Sequence, residues 1–147
     1  MKIYVASSWR NERYSAVVKR LREEGFEAYD FKETDDFGWG GFSWGDIDPK
    51  WKNWTSVELI KGLQHPLAEQ GFKRDKEALD ECDICILVMP CGRSAHLELG
   101  YAVGKNKKTI VLLDNGEPEL MYKFVDLVAD SIEGVILWCY ALKGEGK

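Results

Sequence analysis

The chain has 147 residues, 45% apolar and 31% charged, with a formal net charge of −5. That is enough for one compact domain with a real core, and the acidic balance argues against a broad nucleic-acid surface, which carries a basic excess. No apolar run approaches the roughly 20 residues that cross a bilayer, so neither a nucleic acid nor a membrane is expected as a partner. A small anionic ligand stays open, because one arginine in a pocket suffices for it.

In chain order, Lys2 to Ala6 reads as a buried strand, its apolar part too short for a signal peptide. Asn11 to Glu24 repeats apolar residues at Tyr14, Val17, Val18 and Leu21, which is helical spacing, and Gly25 stops it. Phe26 to Phe31 is a second strand. Lys32 to Asn53 breaks the pattern with four glycines, Pro49 and the indoles of Trp39, Trp44 and Trp51. A loop of that length inside a compact domain is functional or mobile. Thr55 to Ala68 and Lys73 to Glu81 read as helices, with Gly71 between them. Asp83 to Met89 is the third strand, Ser94 to Gly104 a helix and Thr109 to Leu113 the fourth strand. Glu119 to Val125 is a short helix, Leu127 to Ala129 a brief fifth strand and Ile132 to Leu142 a closing helix.

Strands alternating with helices imply parallel pairing and right-handed crossovers. The expected fold is therefore α/β: a single domain over residues 1–147, a three-layer sandwich on a roughly five-stranded parallel sheet, flavodoxin- or Rossmann-like. There is no G-x-G-x-x-G and no Walker sequence. Gly38-Trp39-Gly40-Gly41 does not lie between a strand and a helix, so it is a weak dinucleotide signal. Cys82, Cys85, Cys91 and Cys139 sit in or beside apolar runs and read as buried thiols, which fits a cytoplasmic location. Cys82 and Cys85 have no second pair, and His65 and His96 lie at no ligand spacing, so no metal site is expected.

The informative stretch is Cys91-Gly92-Arg93-Ser94-Ala95-His96-Leu97-Glu98-Leu99-Gly100-Tyr101-Ala102. With Ser94 as N-cap, Glu98 lies one turn on, on the face of Ser94 and Ala102. Ligands of open α/β sheets bind where strands end and helices begin. The positive end of the helix dipole favours the ionised carboxylate, which suits attack on an electrophilic carbon or stabilisation of a developing cation. Arg93 and the free amides of the first turn form an anion site fit for a phosphate. An acid and a phosphate site one turn apart match a nucleotide sugar. On its pattern alone, Glu98 is equally a surface helix residue.

Three motifs carry a resemblance: Lys2-Ile3-Tyr4-Val5-Ala6 followed by Ser7-Ser8-Trp9; Asp75 in Phe72-Lys73-Arg74-Asp75 with Asp83 at the next strand; and the run Ser94 through Ala102 followed by Lys108 to Leu113. On these motifs the chain resembles the nucleoside 2-deoxyribosyltransferase superfamily, over roughly residues 2 to 125. That superfamily includes the transferases proper and the nucleoside 5′-monophosphate N-glycosidases. The resemblance implies an enzyme without cofactor. Glu98 is the nucleophile, forming a glycosyl ester as retaining glycosidases do. Tyr4 holds the glutamate in orientation, although on its own it reads as a core aromatic. Asp75 supplies a proton to the leaving base, or else is a solvated helix charge. Asp83 orients backbone at the strand start. Met121 matches a residue lent to a neighbouring subunit's site, which implies a homodimer or higher homo-oligomer.

Two positions depart from the transferases: Gly92 stands where they carry an aspartate against the sugar 5′-hydroxyl, and Glu119 where they carry an asparagine. Replacing an acid by glycine beside Arg93 removes a repulsion to phosphate and leaves an attraction. The resemblance to the monophosphate hydrolases, which hold a 5′-phosphate with serines and an arginine, implies a cradle of Ser7, Ser8, Arg10, Arg93 and Ser94, with Gly92 as a further substrate-binding position, and a nucleotide is favoured over a nucleoside. In the tryptophan loop, Trp44 and Asp46 are candidates for stacking on a base and reading its edge, with Asp48 as a second acid. The alternative is a loop folded over its own small core or a subunit interface. His96, two residues before Glu98, falls on another helix face and reads as surface. The expected activity is cleavage of the N-glycosidic bond of a (deoxy)nucleoside 5′-monophosphate. Base exchange between nucleosides, and a nucleotide sensor without turnover, are the alternatives.

Overall fold

A computed structural model describes residues 1–36 and 38–145. It divides into two compact units: residues 1–30 with 79–147, and residues 31–78.

The first unit holds a five-stranded, wholly parallel sheet in the order β2-β1-β3-β4-β5. Its strands are β1 (Lys2–Ala6), β2 (Glu27–Tyr29), β3 (Ile84–Val88), β4 (Lys108–Leu112) and β5 (Leu127–Ala129). All five residues of β3 are buried, as a central strand covered on both faces demands. Helices α1 (Arg13–Glu23) and α5 (Ile132–Glu145) meet on one side of the sheet: Tyr140 donates from its hydroxyl to the Glu24 carboxylate at 2.6 Å, and its ring lies 5.3 Å from Phe26. Helix α4 (Arg93–Gly104) packs on β1, β3 and β4. Tyr101 of α4 donates to Asp80 at 2.6 Å, and Lys107 donates to the carbonyls of Asp80 and Cys82 at 2.7 Å each, closing the end of α3 (Pro66–Glu81). Two layers of helix on a parallel sheet give the three-layer sandwich read from the sequence.

Asp83 sits just before β3, and its carboxylate accepts from the Lys2 backbone N–H at 2.7 Å while its own N–H donates to the Lys2 carbonyl at 2.9 Å. It orients backbone, as expected. Helix α1 starts at Arg13 rather than Asn11, because Asn11 uses its side chain to accept from the Arg13 N–H at 2.9 Å. β2 is three residues long rather than six.

The second unit contains the glycine- and tryptophan-rich segment, 3₁₀ turns at Trp44–Asp46 and Trp51–Asn53, α2 (Ser56–Gly62) and the greater part of α3. Thr55 caps α2 in a reciprocal box with Glu58, and the two hydrogen bonds from Thr55 hold the Glu58 carboxyl below its usual range. The expected helix Thr55 to Ala68 ends instead at Gly62, and a new helix begins at Pro66, which is pre-organised for a first helical position. That second helix runs straight through Gly71. A Cβ there would stand 2.7 Å from Phe42 Cβ, so this glycine serves a close approach and is not a break. Phe42, Trp44 and Trp54 pack edge to face, with centroids 4.7 and 5.7 Å apart, and Gly62 leaves room for the Trp54 ring. The segment forms a small aromatic core of its own. Phe37 of this segment lies outside the described residues.

Candidate functional site

In a sheet of this order the chain reverses direction between β1 and β3, and the carboxyl ends of those two strands bound the crevice in which such folds bind ligands. The loop after β1 carries Ser7, Ser8, Trp9 and Arg10. The loop after β3 carries Met89, Pro90 (joined by a cis peptide), Cys91 and Gly92, and leads into α4.

The two loops are tied together. Ser7 Oγ donates to the Val88 carbonyl at 2.8 Å, and Asn11 Nδ2 donates to Ser7 Oγ at 2.9 Å and to the same carbonyl at 3.1 Å. Arg13 reaches from α1 to the carbonyls of Met89 and Leu113, at 3.0 and 3.2 Å, gathering the ends of β3 and β4. The Ser7 hydroxyl is thus occupied in building the crevice. Ser8 is half-buried, and Arg10, Arg93 and Ser94 are exposed at its rim. Asn11 is 4% exposed and was not singled out in the sequence. A lone asparagine just after a strand carries no pattern that separates it from a turn residue.

The N-cap of α4 is Gly92, not Ser94. Gly92 has extended backbone and no side chain to cap with, so the first-turn amides receive no side-chain cap, leaving them for water or an anion. Ser94 is then the second helical residue, still one turn before Glu98. The Gly92 φ is −98° and a Cβ built there meets nothing within 4 Å. Nothing in the local packing requires glycine at this position.

Glu98 is half-buried on α4. Its charge, after burial itself, is among the causes that push the Cys91 thiol up to about 12 and hold the Cys85 thiol well above its usual range. Cys85 lies beside Tyr4 in the β1–β3 register, and the two strands place both side chains on one sheet face. Tyr4 is 1% exposed and stacks on Tyr29 with ring centroids 5.4 Å apart. The charge of Glu98 thus acts on two thiols of β3 and the loop after it, from the helix that packs on β1 and β3.

A second group lies on the β4 side. Asp114 and Glu119 follow β4, and their charges, after burial, raise the Tyr122 phenol. Tyr122 belongs to the 3₁₀ turn Leu120–Phe124, which Glu119 caps by accepting from the Met121 N–H at 2.9 Å. His96 Nε2 is 2.9 Å from the Tyr122 hydroxyl and its Nδ1 is 2.8 Å from the Gly92 carbonyl. The sequence reading set His96 aside as surface, and the structure makes it a bridge. Met121 is 55% exposed.

Asp75, Trp44 and Asp46 belong to the second unit. Asp75 is half-buried on α3, Asp46 is exposed, and Trp44 is a member of the aromatic core. Asp48 accepts from Trp54 Nε1 at 2.6 Å and from the Lys50 N–H at 2.8 Å, so its carboxylate is engaged in that core. The described residues contain no group of three or more His, Cys, Asp and Glu that would hold a metal. None of their helices is long and apolar enough to cross a membrane.

No protein-family model matches the chain, and no curated protein matches it. Solved structures do. The chain is similar to the 2-deoxyribosyltransferase of Bacillus psychrosaccharolyticus, with a TM-score of 0.59 and 19% identity over 92% of this chain and 90% of that one. It is similar also to the Clostridium botulinum CMP N-glycosidase, with a TM-score of 0.53 and 17% identity over 95% of this chain and 98% of that one. At these identities the likeness concerns architecture, and it extends over nearly the whole of each chain: this protein shares the fold of a deoxyribosyltransferase and of a nucleotide N-glycosidase.

Proposed function

We propose that this chain is an enzyme of the nucleoside 2-deoxyribosyltransferase superfamily that cleaves the N-glycosidic bond of a nucleoside 5′-monophosphate, with Glu98 as nucleophile. The observation that supports the reading is the half-buried Glu98, one turn into the helix that follows β3 at the switch point of the sheet, with its charge acting on Cys85, the register partner of Tyr4. The sequence motifs resemble that superfamily, and the shared fold is that of a 2-deoxyribosyltransferase and of a CMP N-glycosidase.

In the first half-reaction the Glu98 carboxylate attacks C1′. The bond from C1′ to the base nitrogen breaks, its electron pair leaves on the base, and the base takes a proton from a general acid, the role that the resemblance gives to Asp75. A glycosyl ester on Glu98 remains. Water then attacks C1′, its proton passes to the conjugate base of that acid, and Glu98 is released. The products are the free base and the sugar 5-phosphate. No cofactor takes part in either step.

A 5′-phosphate is favoured over a free 5′-hydroxyl by Gly92. Neither its φ nor its surroundings call for glycine, so its effect is to withhold a carboxylate from a rim that carries Arg93, Ser94 and uncapped amides. Ser8 and Arg10 stand on the facing loop. Leu120, Met121 and Phe124 are 75%, 55% and 66% exposed, which supports a homo-oligomer in which this turn is covered. The free cysteines suit the cytoplasm.

The deciding experiment is incubation with a panel of nucleosides and their 5′-monophosphates, with free base followed by chromatography. Release from monophosphates in water is the expected result. Release that needs a second base as acceptor makes the chain a transferase, and binding without release makes it a sensor.

A further inference from the structure

The segment between β4 and β5 is held within itself by local bonds: Asp114 accepts from the Gly116 N–H, Glu119 from the Met121 N–H, and the Tyr122 carbonyl from the Val125 N–H. Its 3₁₀ turn shows three large apolar side chains to the surface, and so gains little from burial. Among the described residues, the side-chain hydrogen bonds that join this turn to the rest of its unit run through the Tyr122 hydroxyl.

That hydroxyl meets His96, and the ring's surroundings fix how. The Gly92 carbonyl can only accept, so the Nδ1 atom 2.8 Å from it carries the proton. Nε2 is then the bare nitrogen, and the Tyr122 O–H donates to it at 2.9 Å. Met89 Sδ, 3.3 Å from the same oxygen, is the weaker acceptor. The two rings are also stacked, 5.8 Å apart and 12° from parallel. One imidazole thus links the N-cap carbonyl of α4 to a turn 26 positions along the chain.

We propose that His96 is a positioning residue: through Tyr122 it locks the Leu120–Phe124 turn onto the start of α4, and so fixes where Glu119 and Met121 stand for the site that Met121 completes. The lock is a property of the folded chain. Its consequence for substrate rests on the glycosidase reading.

Two measurements separate these levels. The variants are Tyr122→Phe, which removes the hydroxyl, His96→Asn, whose amide reaches only as far as Nδ1, and His96→Gln, whose amide reaches the position of Nε2. In the free protein, Tyr122→Phe and His96→Asn should speed amide hydrogen exchange in residues 121–125 by tenfold or more, with residues 98–103 unchanged. His96→Gln should restore most of the protection. With the 5′-monophosphate that the wild type cleaves fastest in the panel above, the first two variants should raise KM fivefold or more and leave kcat within twofold. His96→Gln should return KM towards the wild type. Unchanged exchange in residues 121–125, or equal effects of Asn and Gln, overturns the lock. A fall in kcat at constant KM overturns its positioning role. A wild type that cleaves nothing defeats the glycosidase reading, and the exchange data still decide the lock.

Discussion

Gly71→Ala and Gly100→Ala make the same chemical change, one methyl group, in two helices, and the structure gives them opposite signs. At Gly71 in α3 the new Cβ would stand 2.7 Å from Phe42 Cβ and 3.2 Å from its Cγ. Carbon atoms at rest lie about 3.5–4.0 Å apart, so the two groups must separate by close to 1 Å. Phe42 Cβ is bonded to the backbone and its ring is held edge-on to Trp44, so relief has to come from the chain. Overpacking of this kind costs about 1–3 kcal/mol, offset by about 1 kcal/mol of helix propensity gained. The net expectation is a loss of about 0–2 kcal/mol. At Gly100 in α4 nothing lies within 4 Å, leaving the helix gain of about 1 kcal/mol. The two variants should therefore differ by about 1–3 kcal/mol. Urea unfolding read by tryptophan fluorescence suits the measurement, because Trp39, Trp44, Trp51 and Trp54, of six tryptophans in the chain, lie in the unit that contains Gly71. The midpoint should fall for Gly71→Ala and rise for Gly100→Ala, with the slope unchanged. Equal midpoints, or a Gly71→Ala protein more stable than the wild type, would refute the account of Gly71 as a close-approach residue.

Glu98→Ala should lower base release by about a thousandfold, a barrier increase of about 4 kcal/mol, with its unfolding midpoint retained; turnover near the wild-type rate would remove Glu98 from the chemistry. Arg93→Ala should raise KM for a 5′-monophosphate about tenfold, the lower end of a charged hydrogen bond of about 1.5–3 kcal/mol, since this arginine is exposed. The nucleoside of the same base and sugar should be unaffected, and equal weakening of both would refute phosphate selection. Glu98→Gln removes one of the charges that hold the Cys91 thiol at about 12, so alkylation of Cys91 at pH 9 should be faster than in the wild type; an unchanged rate would mean that the carboxylate does not face this thiol. Asp126 is penalised by burial, but the hydrogen bonds from Thr109, at 2.8 and 3.0 Å, bring its carboxyl below the usual range. The stability it contributes is present above the unfolded pKa of about 3.9 and is lost as the pH falls through the lower folded value. Asp126→Asn should thus show a smaller drop in melting temperature between pH 5 and pH 3 than the wild type does.

Local patterns carried most of what the sequence showed. The five strands and the helices Arg13–Glu23 and Arg93–Gly104 were legible because apolar periodicity records which side of an element is buried, whatever it is buried against. The place of Glu98, one turn into a helix that follows a buried strand, is likewise a local fact. Asp83 was legible as the residue that starts a strand, but its partner, Lys2, is 81 positions away. The tertiary structure decided what depends on partners far along the chain. The order β2-β1-β3-β4-β5 makes Ser7 a neighbour of Val88, 81 positions away, and turns a candidate phosphate ligand into a clamp for the crevice. Gly71 looked like a helix break because sequence cannot show that Phe42 lies against it. Trp44 was legible as an aromatic of the loop, but its edge-to-face contact with Trp54 was not. His96 pointed away from Glu98 along the helix and was passed over, since its partner is Tyr122 on a different element. Periodicity reports that a side chain is covered; only the folded chain reports by what, and at a site the identity of the neighbour is what sets the chemistry.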